Sequence, residues 1–141
     1  MNTFKKAVIV GIKEPFLDPE SWQKIDELVG SKVSVSPDSP EMRDNLPDAD
    51  CLLVNFGVKI DKEDMEKAPL LRYIGVLATA YGKINVQYAK EKGVVVSNLA
   101  GYSTNAVAEF TLGAILEHFR QLEEERREVK REIIRKLVCR Q

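Results

Sequence analysis

The feature that most constrains this chain is an alternation, repeated five times, of short β-branched apolar runs with helix-like stretches. Ala7–Val10 (AVIV) predicts a first strand. Pro19 and Glu20 open an amphipathic helix through Val29, with Gly30 as its stop. Lys32–Ser36 alternates as a second strand ended by Pro37, and Glu41–Leu46 is a short helix. Cys51–Phe56, apolar on both faces, predicts a third strand. Asp61 caps a helix through about Lys67, and Pro69 follows it. Arg72–Leu77 is a fourth strand, Val86–Lys92 a helix closed by Gly93, and Val94–Ser97 a fifth strand.

Strands separated by helices are joined by crossovers and therefore pair in parallel, with both faces of the sheet covered. The expected fold is α/β: a flavodoxin-like, doubly wound five-stranded parallel sheet in the order 2-1-3-4-5, with a long C-terminal helix. From about Thr104 the pattern turns helical, and no Gly or Pro occurs after Gly113. Residues 106–120 are rich in Ala, Leu, Ile and Phe, whereas 121–138 are mostly Glu, Arg and Lys with spaced apolar residues. A helix of about thirty residues spans about 45 Å, more than the width of a domain this size. The expected division is therefore a flavodoxin-like α/β domain over residues 1–104 and a long helix over 105–141. The first half of that helix is expected to pack on the sheet and its second half to project. Ala108, Leu112, Ile115, Phe119, Leu122, Val129 and Ile133 form a heptad-like seam broken by Arg126, with Ile134, Leu137 and Val138 nearby. That seam predicts a homodimer through the long helix.

Composition excludes several function classes. Lys and Arg number 21 against 22 Asp and Glu, so the net charge is −1, which argues against an electrostatic nucleic-acid binder. No apolar run approaches a membrane span, and Ala7–Val10 is too short for a signal h-region, so no membrane partner is expected. Cys51 and Cys139 are far apart and read as reduced thiols of a cytoplasmic protein. No Cys/His/Asp cluster has metal-ligand spacing, and no metal site is expected.

In a doubly wound sheet ligands bind outside the carboxyl ends of the strands. The loops there are Gly11–Glu14, Pro37–Pro40, Asn55–Lys59, Ala78–Lys83 and Asn98–Ser103. No G-x-G occurs, so the dinucleotide fingerprint is missing. The one histidine, His118, sits mid-helix and reads as a helix-face residue. A receiver-type phosphorylation site needs acidic residues where Gly11 and Asn55 stand. A flavin phosphate loop needs Ser and Thr where G-I-K-E-P stands.

The positive signal runs from Cys51 to Arg120. Its markers are the helix before Ala68-Pro69-Leu70-Leu71, the Tyr81-Gly82 loop, Gly93-Val94-Val95-Val96-Ser97-Asn98, and Val107-Ala108-Glu109 opening the long helix. In this order they make the segment resemble the N-terminal catalytic domain of the D-isomer-specific 2-hydroxyacid dehydrogenases, a family that includes phosphoglycerate, D-lactate, formate and glyoxylate/hydroxypyruvate enzymes. Residues 1–50 fit the fold without a signature.

The resemblance implies that backbone N–H groups of Ala80-Tyr81-Gly82 hold a substrate carboxylate, with the family's usual glycine replaced by Ala80. It places Asn55 at a substrate-facing position, with Phe56 and Gly57 beside it, and Thr104 near the cofactor. Turn chemistry alone also accounts for Asn55 and Gly82, and an ordinary N-cap for Thr104. Glu109 reads as an acid suited to the first helical turns. In the family the long helix leads into a domain that binds NAD or NADP and supplies the catalytic arginine, carboxylate and histidine. That domain is not in these 141 residues. No catalytic residue is therefore assigned, and no cofactor is expected for this chain alone. The reading is a substrate-binding domain cut off before the cofactor domain, inactive by itself, binding a small 2-hydroxy or 2-oxo acid at most weakly. Whether it counts as an enzyme stays open, as does a second reading, a stand-alone interaction module that oligomerises through its helix. A third is a small-acid sensor that keeps the carboxylate loop.

Overall fold

The computed structural model describes residues 3–120 and 122–138. Cys139 and the side chains of Leu122, Ile134, Leu137 and Val138 lie outside the described residues. The chain divides into two compact units, Met1–Gly101 and Tyr102–Gln141.

The first unit is built on five parallel strands: β1 (Phe4–Val10), β2 (Val29–Val35), β3 (Cys51–Asn55), β4 (Tyr73–Leu77) and β5 (Val95–Asn98). Their order is β2-β1-β3-β4-β5, as the alternation predicts. All four pairings are parallel. Between the strands lie α1 (Pro19–Leu28), α2 (Pro40–Asn45), α3 (Lys62–Glu66) and α4 (Val86–Glu91), with a 3-10 turn at Glu14–Phe16 that the sequence pattern does not predict.

Ala7, Val8, Ile9 and Val10 are all buried, so β1, an interior strand, is covered on both faces. Val8, Val10, Leu52, Val54, Ile74 and Val76 point to one face, where Met42, Leu46, Met65 and Ala89 close over them. On the other face Ala7, Val29 and Cys51 pack with Phe4, Ile25, Leu53 and Tyr73. Burying each such aliphatic side chain contributes roughly 1.5–3 kcal/mol.

Two boundaries differ from the sequence reading. The first strand begins at Phe4 rather than Ala7, because the backbone N–H groups of Lys5 and Lys6 donate to the buried carboxylate of Asp50. Gly30 is not a helix stop. Val29 already has extended geometry (φ −118°, ψ 144°), is buried, and pairs with Phe4, so the second strand starts three residues earlier than Lys32. The Asp61 cap falls where expected and forms a reciprocal capping box with Asp64, while Asp18, ahead of Pro19, adds a cap by accepting from Ser21 N–H.

The second unit is helical on both sides of Gln121: α5 (Thr104–Arg120) and α6 (Leu122–Val138). No side chain of α5 is buried, and Val107, Phe110, Leu112, Ile115, Leu116 and Phe119 are exposed. Val129 and Ile133 are exposed on α6. Among the described residues no helix is long and apolar enough to cross a membrane, and no group of His, Cys, Asp and Glu has the arrangement of a metal site.

Candidate substrate cleft

The carboxyl ends of β1, β3 and β4 are held together by a few polar contacts. Asn55, the last residue of β3, donates from Nδ2 to the Gly11 carbonyl at 2.9 Å. Its Oδ1 accepts the Phe56 N–H at 2.7 Å. The amide thus ties the turn after β1 to the turn after β3. The chain turns sharply at Gly57, whose φ of +82° is accessible to glycine at little cost. It then runs back through Val58 and Ile60, both buried.

The loop after β4 is fixed at its two ends. Ala78 is buried and its carbonyl accepts the Leu99 N–H at 2.9 Å, while Asn98 Nδ2 donates to the Thr79 carbonyl at 2.6 Å. At the far end Ile60 and Ile84 form a single parallel bridge: Ile60 N–H donates to Lys83 O at 3.2 Å and Asn85 N–H to Ile60 O at 3.0 Å. Between these anchors the N–H groups of Ala80, Tyr81 and Gly82 donate to no acceptor among the described residues. They are solvent-accessible, and a Cβ placed on Gly82 meets nothing within 4 Å. Successive free N–H groups on a fixed loop form an anion-binding concavity.

The two loops face each other across a cleft of about 320 Å³. Its walls include all six residues expected to touch substrate: Asn55, Phe56 and Gly57 from one loop, Ala80, Tyr81 and Gly82 from the other. Val58, Val76 and Ile84 form the apolar part of the lining. Phe56 and Tyr81 are 73% and 52% exposed, so the mouth carries two aromatic rings free to cover a ligand. A larger open cleft of about 840 Å³ shares Phe56, Gly57, Val58, Gly82, Lys83 and Ile84 and extends toward Pro37 and Asp38. Lys59 also lines this second cleft and is paired with Asp61 at 2.8 Å. The ion pair raises the Lys59 pKa and lowers that of Asp61.

Thr104 opens α5 in the second unit. The turn after β1 offers no room for a pyrophosphate. Gly11 N–H is bonded to Val35 O at 2.9 Å, and a Cβ on Gly11 meets Pro37 at 3.3 Å and Asn55 at 3.4 Å. The described residues do not fit a nicotinamide dinucleotide at this turn. Sequence reasoning did not single out Lys83, Asn98 or Asp38. A loop lysine reads as ordinary surface charge, and only the facing loops reveal what Lys83 borders. Asp38 sits at a left-handed φ of 55°, a conformation that Asp tolerates better than most residues and that only the structure reveals.

Comparison with known proteins identifies the family and the fold. Residues 10–138 match the family model "D-isomer specific 2-hydroxyacid dehydrogenase, catalytic domain". The chain is 34% identical over 101 residues to a hydroxypyruvate reductase of Blautia hydrogenotrophica, covering 72% of this chain and 31% of that protein. It is 35% identical over 109 residues to a D-3-phosphoglycerate dehydrogenase of Methanocaldococcus jannaschii, covering 77% of this chain and 21% of the relative. The crystal structure of a D-lactate dehydrogenase from Aquifex aeolicus, complexed with NAD and lactic acid, has the same fold. There the TM-score is 0.69 at 24% identity, with 89% of this chain and 37% of that one covered. The chain spans a third or less of the length of these two curated relatives.

Proposed function

The chain belongs to the D-isomer-specific 2-hydroxyacid dehydrogenase family, and from that premise we propose that it is a substrate-recognition domain for small 2-hydroxy and 2-oxo acids. The observation that carries this reading is the run of free N–H groups at Ala80, Tyr81 and Gly82, facing Asn55–Gly57 across one cleft. A 2-hydroxy acid presents a carboxylate beside a small polar carbon centre. The N–H run suits the carboxylate, the apolar lining suits the carbon chain, and the Phe56 and Tyr81 rings limit water at the mouth.

Hydride transfer needs a nicotinamide held against the substrate carbon and a proton donor beside its oxygen. The sequence contains no G-x-G, and no histidine lines the cleft. The family's cofactor, NAD or NADP, and its acid/base group are therefore assigned to protein outside these residues. Thr104 is assigned at most an approach to that cofactor. Binding by the chain alone is proposed to be weak, on the order of millimolar, because a small polar acid in an open cleft stays partly hydrated. The proposed setting is the cytoplasm, where the free thiol of Cys51 stays reduced.

Two measurements test this together. Calorimetry with D-lactate and glyoxylate is expected to give weak saturable binding. NADH oxidation with glyoxylate, pyruvate or hydroxypyruvate is expected to give no turnover; saturable turnover surviving repurification overturns the assignment.

The exposed apolar residues of α5 and α6 favour a second, compatible reading, an interaction module that associates with another copy through these helices.

A further inference from the structure

The smaller cleft is lined by one charged side chain, Lys83. Among the described residues no carboxylate pairs with it, whereas Lys59, on the larger cleft, is already bonded to Asp61. Its place is fixed by the backbone: the Lys83 carbonyl is held by Ile60 N–H in the bridge that closes the loop. Its Nζ reaches the opposite loop, lying 4.0 Å from the position of a Cβ on Gly57. Lys83 also borders the larger cleft, so it stands where the two spaces join.

A carboxylate seated on the N–H groups of Ala80–Gly82 leaves this cation unanswered. The adjoining space provides room for a longer substrate. We infer that Lys83 is a specificity-determining residue, and that the preferred ligand is a dianion: a 2-hydroxy or 2-oxo acid with a second carboxylate or a phosphate at its far end. The inference rests on the reading of the cleft given above. The first carboxylate binds the backbone; the second anionic group lies between Lys83 and Gly57, on the Lys59 side of the larger cleft and away from the carboxylate of Asp38. Asp38 and Asp61 are the carboxylates of the larger cleft, and Asp61 is neutralised by Lys59. The contact is exposed, so its effect is modest and falls with salt.

The test is an amide-resolved NMR titration of the 141-residue chain with D-lactate, D-malate and D-3-phosphoglycerate, repeated with Lys83→Gln. The side chain is exposed, so the variant is expected to fold, and its unperturbed amide spectrum checks this. D-malate or D-3-phosphoglycerate is expected to bind about fivefold more tightly than D-lactate at low salt, and this ratio is expected to fall to about one in Lys83→Gln, whatever the substitution does to D-lactate itself. The arm with the larger advantage tells a carboxylate from a phosphate. Equal binding of all three acids, or a dianion advantage that survives Lys83→Gln, overturns the role of Lys83 and leaves the cleft reading intact. If no acid moves the Ala80–Gly82 amides, both fail.

Discussion

At the scale of single residues, the least replaceable side chain outside the cleft is Asp50. It is 5% exposed and accepts from Lys5 N–H, Lys6 N–H and Arg72 Nη2 at 3.0–3.1 Å. Burial pushes its pKa up, but the two backbone donors and the Arg72 guanidinium outweigh that, and the net shift is below the ordinary 3.8. A lowered folded-state value means that the group contributes stability above the unfolded pKa and loses it as pH falls through the folded one. Asp50→Ala is expected to destabilise the first unit by about 1–2 kcal/mol at pH 7, since it removes the buried acceptor of two part-buried N–H groups and of Arg72. Urea unfolding checks this, and the gap to wild type is expected to shrink only below about pH 4. Beside it, burial and the Asp50 charge raise the Cys51 thiol to about 11. In a Cys139→Ser background Cys51 is expected to react with thiol reagents at pH 8 only after denaturant is added; rapid labelling of the native protein contradicts this packing. Neither property was legible in the sequence. Asp48 and Asp50 look alike there, and only the register of β1 against β3 brings the Lys5 and Lys6 backbone N–H groups to Asp50, while the Lys6 ammonium pairs with Asp48.

At the scale of elements, the sheet was legible because its strands announce themselves twice, by β-branched runs and by the turn residues between them. Cys51–Asn55 and Tyr73–Leu77 stand within a residue of their expected bounds. Val29 was misassigned because it continues the helical spacing of Ile25 and Leu28, and burial against Phe4 decided the matter. The cleft was legible only in part. The family resemblance pointed to Asn55–Gly57 and Ala80–Gly82, whereas Lys83 acquires meaning from the opposite loop. Inside β4, a Cβ on Gly75 meets Leu53 Cδ2 at 2.9 Å and the Tyr73 ring at 3.1 Å. Gly75→Val is expected to destabilise by about 1–3 kcal/mol through overpacking. A thermal midpoint equal to wild type contradicts the β3–β4 register described above.

At the scale of the whole molecule, charge balance and hydropathy narrowed the function classes, and association is proposed to run through the helices of the second unit. Val129 and Ile133 of α6 are exposed, as are Leu112, Ile115 and Phe119 of α5. Full burial of each is worth roughly 1.5–3 kcal/mol, enough for a few of them to offset much of the entropy of association. Wild type is expected to sediment as a dimer at tens of micromolar and a Val129→Glu, Ile133→Glu variant as a monomer; monomers in both end that proposal. The central claim concerns the cleft, and D-lactate titrated into the isotopically labelled chain tests it most directly. The account predicts saturable shifts of the Ala80, Tyr81 and Gly82 amides, with smaller ones at Phe56 and Gly57. Shifts confined to the opposite end of the sheet, around Lys5, Lys6 and Arg72, contradict it.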